Sequence, residues 1–458
     1  MTSLSIIDSG FLLTESHHSP KHVAGLQIFR LPGGKGPAWL RKLLDDMKQA
    51  PPGFPFNQRL KPGTAIQAEL EFDEHFDIDY HVRHSVLPRP GNDEQLLDVV
   101  ARLHANLLDR ERPLWEFHLI EGLSDRRFAF YTKVHHCLCD GVTFGRWYND
   151  SSSLSADEKT TPPIWRLDDS PRSEEEENLS YAQMMVEGVK MLGGGVKTAL
   201  GISVLSARLV QRRFFDGDLN IALPLSAPKT PLNVATGAAR NLTIRQYPLD
   251  EFRAIAKSQK VSINDVVMTM CDLAVCRYFE DMDGAPEGPM IAYMPVDLRA
   301  KGESEDGNLI SLIQVKLASN HTDPLASLQQ IKKSSRAARE LFFSASRPAI
   351  QYYAMIVALL SLFEEGLRLD RFLPPVTNMV ISNVPGSPEK LYFRGAEAVG
   401  IYPVSTLPPM TALNVTACSY AGTFFFGLVS GKTAIPDLKK LTGYLDEIFT
   451  ELKELTAV

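Results

Sequence analysis

Positive charge is scarce in this chain of 458 residues, in which 48 Lys and Arg are outnumbered by 55 Asp and Glu. The formal net charge is −7 and the isoelectric point is about 5.9. No stripe of Lys and Arg interleaved with aromatic residues follows the sequence, so the basic field that attracts a phosphate backbone is missing. We therefore expect no nucleic-acid partner.

Cysteines and long apolar runs are also scarce. The five cysteines form an odd, sparse set without a pair of CxxC spacings, which favours reduced thiols in a cytoplasmic protein over a disulfide framework or a zinc knuckle. The first 13 residues lack the basic stretch and cleavage site of a signal peptide. The longest charge-free apolar stretch, residues 349–363, is shorter than the ~20 residues that a helix needs to cross a bilayer, so we predict no membrane span.

The chain does have enough apolar residues, 44% of the total, for a sizeable core, and its length favours more than one domain. Between residues 151 and 180 it turns polar, a composition that resists burial. We predict an N-terminal domain over residues 1–178, a linker over 179–215 and a C-terminal domain over 216–458. The linker contains an amphipathic basic segment, residues 190–213, which either rests on anionic lipid or is a solvated helix between domains.

Periodicity predicts helices and strands in both halves. Helices are expected over residues 39–47, 95–108, 142–149, 264–281, 323–343, 349–369 and 436–455, and strands over 21–30 and 128–134 and around Ile291, Leu312, Met379, Val415 and Phe425. Ser262 followed by Asp265 resembles a capping box. Asn264 is therefore expected in the first turn of its helix, where partial positive charge collects.

The sequence HHCLCDG, residues 135–141, follows directly on a predicted strand. Because side chains alternate along a strand, His135 and His136 point to opposite faces and cannot do the same work. Asp140 then breaks the strand pattern before a short helix. A strand-loop-helix junction of this kind is where a scaffold holds a reactive group. We expect His135 to be structural, with its ring hydrogen-bonded to fix the loop.

Two other readings of this motif follow from its residues. Two histidines and Asp140 are possible metal ligands, although adjacent histidines on opposite faces do not converge easily on one ion, and we expect no metal. Cys137 or Cys139 beside an imidazole suggests a thiol nucleophile. We expect instead that both cysteines are small packing side chains and that their replacement by Ala leaves substantial turnover.

The motif fits the HHxxxDG signature of coenzyme-A-dependent acyltransferases and condensation domains, and the chain resembles the bacterial wax ester synthase/diacylglycerol acyltransferases. The matching segments, in order, are PLW at 113–115, IEGL at 120–123, Asn264-Asp265, MPV at 294–296 with Arg299, Gly307-Asn308, SNVPG at 382–386, YPVS at 402–405 and Leu413-Asn414. Residues 19–25 (SPKHVAG) resemble the family's SPMHVGG but carry Lys21 and Ala24 where Met and Gly are usual.

The resemblance implies an α/β fold of two acyltransferase-like domains with mixed sheets, joined by a helical linker, with an active-site tunnel at their interface. It implies that His136 is the catalytic base, that Asn264 lines the site, and that Asp140 shapes the loop from a buried ion pair with an arginine, for which Arg299 is a candidate. His135 completes the predicted site. No cofactor is implied beyond acyl-CoA as co-substrate.

The predicted function is transfer of a long-chain acyl group from acyl-CoA to a long-chain fatty alcohol or to diacylglycerol. Neutral imidazole titrates near pH 6.5 and accepts the hydroxyl proton as the oxygen attacks the thioester, without an acyl-enzyme, while Asn264 donates to the oxyanion. Residues 349–363 are either a tunnel wall or a core helix. The rivals are a condensation-type enzyme that uses carrier-bound acyl groups and a non-catalytic lipid-droplet surface protein, and a peripheral place on a membrane or lipid body fits the basic segment.

Overall fold

The structure is a computed structural model. It describes residues 2–63, 68–167, 211, 219–282, 284–297, 310–319, 323–345, 350, 353, 356–357, 360–361, 364 and 372–457. The predicted domain boundaries near 178 and 215 lie outside these residues. So do the basic segment 190–213, apart from residue 211, and much of the predicted helix 349–369.

The described residues form two six-stranded sheets and a small three-stranded sheet. The strands are β1 Thr2–Ser3, β2 His22–Arg30, β3 Gln58–Leu60, β4 Glu69–Phe72, β5 Val82–Val86, β6 Trp115–Leu123, β7 Arg127–His135, β8 Arg240–Pro248, β9 Ile291–Asp297, β10 Ile310–Lys316, β11 Met379–Pro385, β12 Tyr392–Phe393, β13 Ala396–Val404, β14 Leu413–Tyr420 and β15 Thr423–Gly431.

The helices among the described residues are α1 Ile6–Leu13, α2 Pro37–Lys48, α3 Ile78–His81, α4 Asp93–Ala105, α5 Gly141–Asp150, α6 Leu249–Gln259, α7 Ile263–Glu280, α8 Pro324–Phe343 and α9 Leu438–Thr456. A capping box starts α7, because Ser262 and Asp265 exchange bonds between side chain and backbone as predicted. None of the described helices is both long enough and apolar enough to cross a membrane.

The first large sheet has the order β12-β13-β2-β7-β6-β5 and the second β10-β9-β11-β14-β15-β8, and both mix parallel with antiparallel pairs. β12 and β13 come from the C-terminal half of the chain but extend the sheet of the N-terminal half, where β13 lies antiparallel to β2. Because a strand at a sheet edge has unpaired N–H and C=O groups, this addition places β2 in the interior of its sheet.

The two large sheets pack on two cores, and the second sheet also contributes Phe425 and Val429 to the first core. Trp115, Phe128 and Tyr131 are fully buried in the first core, and long buried α7 lies in the second beside α8 and α9. β6, which contains part of the PLW segment, is buried on both faces over most of its length. The HHCLCDG motif approaches β11 of the second sheet at Gly141, and β13 of the first sheet contacts β14 and β15.

Candidate active site

The strand that leads into the HHCLCDG motif is an inner strand of its sheet. β7 pairs with β2 on one side and with β6 on the other, and His135 lies opposite His22 in the register of β7 and β2. His136 is the first residue beyond the strand, and its backbone N–H donates to the carbonyl oxygen of Lys21 at 2.8 Å. The candidate base therefore stands at the end of a strand that is held on both sides.

The side chain of His136 is buried, with 7% of its surface exposed. Its ring stacks on the ring of Phe11, with the centroids 4.1 Å apart and an angle of 10° between the planes. Phe11 belongs to α1, a helix that the sequence analysis did not predict. One face of the imidazole is thus covered by an apolar ring.

The ring of His135 is fully buried and braces the turn after the strand. Its Nδ1 accepts a hydrogen bond from the backbone N–H of Cys137 at 3.1 Å, and its Nε2 lies 3.3 Å from Oε1 of Glu15. Because a backbone N–H always donates, Nδ1 is the unprotonated nitrogen, and a neutral ring carries its proton on Nε2, facing the carboxylate.

Glu15 is held in this position by several donors. Burial raises the pKa of its carboxyl group, but the contact with His135, the backbone N–H of Lys21 at 3.0 Å and the guanidinium of Arg110 at 3.1 Å outweigh burial and hold the pKa at about 2. Glu15 is therefore ionised throughout the neutral range, and only 2% of its side chain is exposed.

Asp140 starts the helix that follows the motif. Its fully buried carboxylate accepts a hydrogen bond from the backbone N–H of Thr143 at 2.8 Å and so caps the N-terminus of α5. The predicted arginine partner, Arg299, lies outside the described residues. The ion pair expected for Asp140 therefore stays a prediction.

The motif reaches the second core through Gly141. A methyl group at Gly141 would lie 3.6 Å from the side chain of Val384, and α5 contacts β11. The sequence SNVPG at 382–386 predicts a turn after a buried strand, but residues 382–385 belong to β11, and only Gly386 lies beyond the strand end. β11 is therefore the element that connects the HHCLCDG loop with the second domain.

Asn264 lies in the first turn of α7, half-buried, as the capping box predicted. Its Oδ1 accepts a hydrogen bond at 2.7 Å from Nδ2 of Asn383, the neighbour of Val384 on β11. This bond fixes the orientation of the Asn264 amide, because its oxygen is occupied and its Nδ2 is left to donate. α7 and the HHCLCDG loop are thus both attached to β11.

The segment that resembles SPMHVGG lies beside the two histidines. Lys21 is buried, and its Nζ donates to Oγ of Ser19 at 2.5 Å. A methyl group at Gly25 would lie 2.7 Å from the ring of Tyr148 on α5, so the close packing of α5 on β2 requires glycine there. The departures from the family pattern thus leave this packing intact.

The cysteines of the motif are poorly suited to be nucleophiles. Both Cys137 and Cys139 are fully buried, and burial, with the nearby carboxylates of Asp8 and Glu15, raises the pKa of Cys137 well above its usual value. A thiol in that environment stays protonated near neutral pH. In the part of the chain that the structure describes, no three His, Cys, Asp or Glu side chains are grouped to hold a metal ion.

Three residues at the site were not assigned a role from the sequence: Phe11, Glu15 and Asn383. A signal existed for Phe11, because Ser5 and Asp8 form a capping box at the start of α1, but Glu15 lies beyond the end of that helix. Asn383 was noted within its motif, but nothing local indicated that its side chain contacts Asn264.

Comparisons with known proteins show the family to which the chain belongs. The model of the wax ester synthase/diacylglycerol acyltransferase catalytic domain matches residues 4–267, and that of the WS/DGAT C-terminal domain matches residues 306–453. A putative diacylglycerol O-acyltransferase of Mycobacterium tuberculosis is 37% identical, with 99% of each chain covered. The O-acyltransferase WSD of Acinetobacter baylyi is 33% identical, with 98% of this chain and 96% of that protein covered.

The fold is also that of a solved relative. The wax ester synthase/diacylglycerol acyltransferase of Marinobacter aquaeolei VT8 superposes with a TM-score of 0.77 at 32% identity, covering 100% of both chains. The first condensation domain of the calcium-dependent antibiotic synthetase shares the fold at a TM-score of 0.59 and 14% identity, with 100% and 96% of the two chains covered.

Two six-stranded mixed sheets with the HHxxxDG loop at their junction define an acyltransferase of the condensation-like fold class. The chain belongs to the wax ester synthase/diacylglycerol acyltransferase family. The predictions of the family, of the two-domain α/β architecture and of an O-acyltransferase are confirmed at this level.

Proposed function

We propose that the protein transfers a long-chain acyl group from acyl-CoA to the hydroxyl group of a fatty alcohol or of diacylglycerol, with His136 as general base. The observation that carries this proposal is the position of His136, which is buried at the end of an inner strand beside an apolar ring, in a loop that contacts the second domain. The names of the relatives supply the substrate class.

In the reaction, the imidazole of His136 accepts the proton of the acceptor hydroxyl group as the oxygen forms its bond to the thioester carbonyl carbon. The carbon–sulfur bond then breaks, and the imidazolium returns the proton to the coenzyme A thiolate. No acyl-enzyme forms, so both substrates are bound together and the kinetics are sequential.

The tetrahedral intermediate needs a donor for its oxyanion, and Asn264 is suited to this role. Because Asn383 occupies its Oδ1, the amide presents Nδ2, a donor, to its remaining surroundings. The first turn of a helix adds partial positive charge. Asp140 and His135 have no part in the bond changes, and they hold the loop.

Delivery of insoluble substrates forms the second part of the proposal. The basic segment 190–213 has the pattern of a helix that lies on anionic lipid, which would place the enzyme at a membrane surface or a lipid body. Sedimentation with vesicles of anionic and of zwitterionic lipid tests this. Retention by anionic vesicles alone, lost when Lys190, Lys197 and Arg208 are changed to Glu, is expected, and equal retention of the variant would contradict it.

The proposed mechanism is tested by thiol release. His136→Ala should lower kcat/KM with palmitoyl-CoA and hexadecanol by about 10²- to 10⁴-fold, the usual contribution of a general base. His75→Ala is the matched control, because it removes an imidazole from an exposed turn. A folded His136→Ala protein with wild-type turnover would refute the base assignment.

The same assay separates the rivals. Acyl groups on a carrier protein that are used in preference to acyl-CoA would favour a condensation-type enzyme. A wild-type protein that releases no thiol with any alcohol would favour a lipid-surface protein.

A further inference from the structure

We propose that Glu15 is a positioning residue for acyl transfer, which acts through His135 on the turn that presents His136. The inference rests on the proposed role of His136 and adds a residue that no motif of the sequence singled out. Glu15 touches neither the base nor the reacting atoms, and its effect passes through one intermediate ring.

The first step is the rigid anchoring of the carboxylate. Oε1 of Glu15 accepts from the backbone N–H of Lys21, and Oε2 accepts from Nε and Nη2 of Arg110 at 3.3 and 3.1 Å. The same Nη2 also donates to the carbonyl of Leu12 at 2.6 Å. The carboxylate is therefore tied to the end of α1, to the start of β2 and to the loop after α4.

The anchored carboxylate of Glu15 in turn fixes the tautomer of His135. With Glu15 facing Nε2, the neutral ring keeps its proton there, and Nδ1 stays free to accept from the N–H of Cys137. The opposite tautomer would turn an N–H of the ring toward the N–H of Cys137. It would also remove the ring N–H that faces the carboxylate, which would keep only its bonds from Lys21 and Arg110. Glu15 thus selects the one tautomer that braces the turn.

The third step concerns the base itself. The backbone N–H of His136 donates to Lys21, whose own N–H donates to Glu15, and Phe11 stacks on the ring of His136. Residues 11–21, which we name the N-terminal clasp, therefore contact both histidines. Displacement of Glu15 would loosen the clasp and move the imidazole relative to the acceptor hydroxyl group.

Glu15→Gln is the direct test. A Gln amide has one NH2 group, which must face the guanidinium of Arg110 or the side shared by the N–H of Lys21 and Nε2 of His135. Both sides present N–H groups to the carboxylate in the wild type. Because a misplacement of ~1 Å costs up to about 10²-fold in rate, kcat per folded molecule should fall by about 10- to 100-fold with little change in KM. Thiol release gives kcat, and circular dichroism gives the folded fraction.

Glu116→Gln is the matched control. Glu116 is also a buried carboxylate, with Oε2 3.2 Å from Nε2 of His118 and 3.2 Å from Nζ of Lys133. Burial raises the pKa of its carboxyl group, but the contacts with His118 and Lys133 outweigh burial and lower the pKa to about 2, as at Glu15. This variant should lose stability but keep kcat per folded molecule. If Glu15→Gln and Glu116→Gln lost equal kcat, the effect of Glu15 would be that of any buried carboxylate, and the proposal would be wrong.

A double-mutant cycle tests the route through His135. The side-chain oxygen of Asn takes the place of Nδ1, so His135→Asn keeps an acceptor for Cys137 but loses the contact with Glu15. If Glu15 acts through the ring, the double variant with Glu15→Gln should be no slower than the worse single variant. Losses that multiply would overturn the proposal.

Arg110→Met keeps the test decisive if Glu15→Gln fails to fold. The Arg110 side chain is 47% exposed, so its loss is tolerated, but it releases one anchor of Glu15. A smaller loss of kcat at unchanged KM is expected, and an unchanged kcat would refute the proposal. His136→Ala is measured beside these variants: if it is inactive while Glu15→Gln has full kcat, the inference about Glu15 fails and the base assignment stands.

Discussion

The Asn383→Asp substitution tests the proposed oxyanion donor without removing it. In the wild type, Nδ2 of Asn383 donates to Oδ1 of Asn264 at 2.7 Å. An ionised Asp at this position only accepts hydrogen bonds, so the Asn264 amide must turn over to offer Nδ2 to it. Oδ1 of Asn264 then takes the position that Nδ2 has in the wild type. The amide therefore presents an acceptor, not a donor, to the oxyanion.

The expected magnitudes separate catalysis from stability. Loss of one oxyanion donor costs about 10²- to 10³-fold in kcat, or about 2.7 to 4 kcal/mol of transition-state stabilisation. The hydrogen bond between residues 383 and 264 is reversed rather than lost, and such a bond nets only about 1 kcal/mol of stability. We therefore expect a large loss of kcat in a protein whose free energy of unfolding changes little.

Thiol release at saturating palmitoyl-CoA and hexadecanol, with chemical denaturation in parallel, measures both quantities. Asn264→Ala is the reference, and Asn264→Ala with Asn383→Asp should be no slower than Asn264→Ala alone, since the reversed amide is then absent. Wild-type kcat in Asn383→Asp would refute the donor assignment. The donor assignment would also be refuted if Asn383→Asp lowered kcat but Asn264→Ala did not, because the loss would then not come from the Asn264 amide.

Three further predictions concern groups around the two cores. Cys137→Ala should keep substantial turnover, because burial holds the pKa of this thiol well above its usual value, and abolished thiol release would restore the covalent route. Asp140→Ala should lower the free energy of unfolding by about 1 kcal/mol through the lost cap on Thr143, whereas Asp140→Asn keeps an acceptor and should lose less in the same denaturation assay. Burial, only partly opposed by hydrogen bonds from Ser319 and Ala318, raises the pKa of Asp272 from 3.8 to about 6. The folded state then binds more protons than the unfolded state between these values, so the contribution of Asp272 to stability should fall by about 2 kcal/mol as pH rises from about 4 to 6, a dependence that Asp272→Asn should abolish.

The local parts of the fold followed from the sequence. The strand before the motif, the helix after it and the start of α7 rest on period-two alternation and on a capping box, which short-range backbone geometry determines. The predicted helices and strands over the described residues match the observed ones to within a few residues at each end. β8, α6 and β13 were not predicted, although β13 alternates between buried and half-buried residues as a one-sided strand does.

The non-local parts did not follow. Nothing near residues 396–404 indicates that they pair with β2, because the choice of strand partner depends on the whole packed chain. The contacts of Glu15 with His135 and of Asn383 with Asn264 could not be predicted for the same reason, since each joins segments that are distant in the sequence. The motif indicated the proposed base, His136, but the groups that hold its ring and its turn come from distant segments.

The contribution that positioning makes to catalysis is at least as large as that of a general base, so the distant groups that position His136 matter to the proposed mechanism. Proton transfer by a general base contributes about 10²- to 10⁴-fold, whereas holding reactants in a reactive geometry supplies about 7 to 11 kcal/mol. The imidazole of His136 is restrained through its backbone N–H by Lys21, through its ring by Phe11 and through its turn by His135. In the proposed mechanism, the N-terminal clasp and β11 therefore hold the geometry on which this larger contribution depends. An imidazole at the same strand end without them would be a weak catalyst.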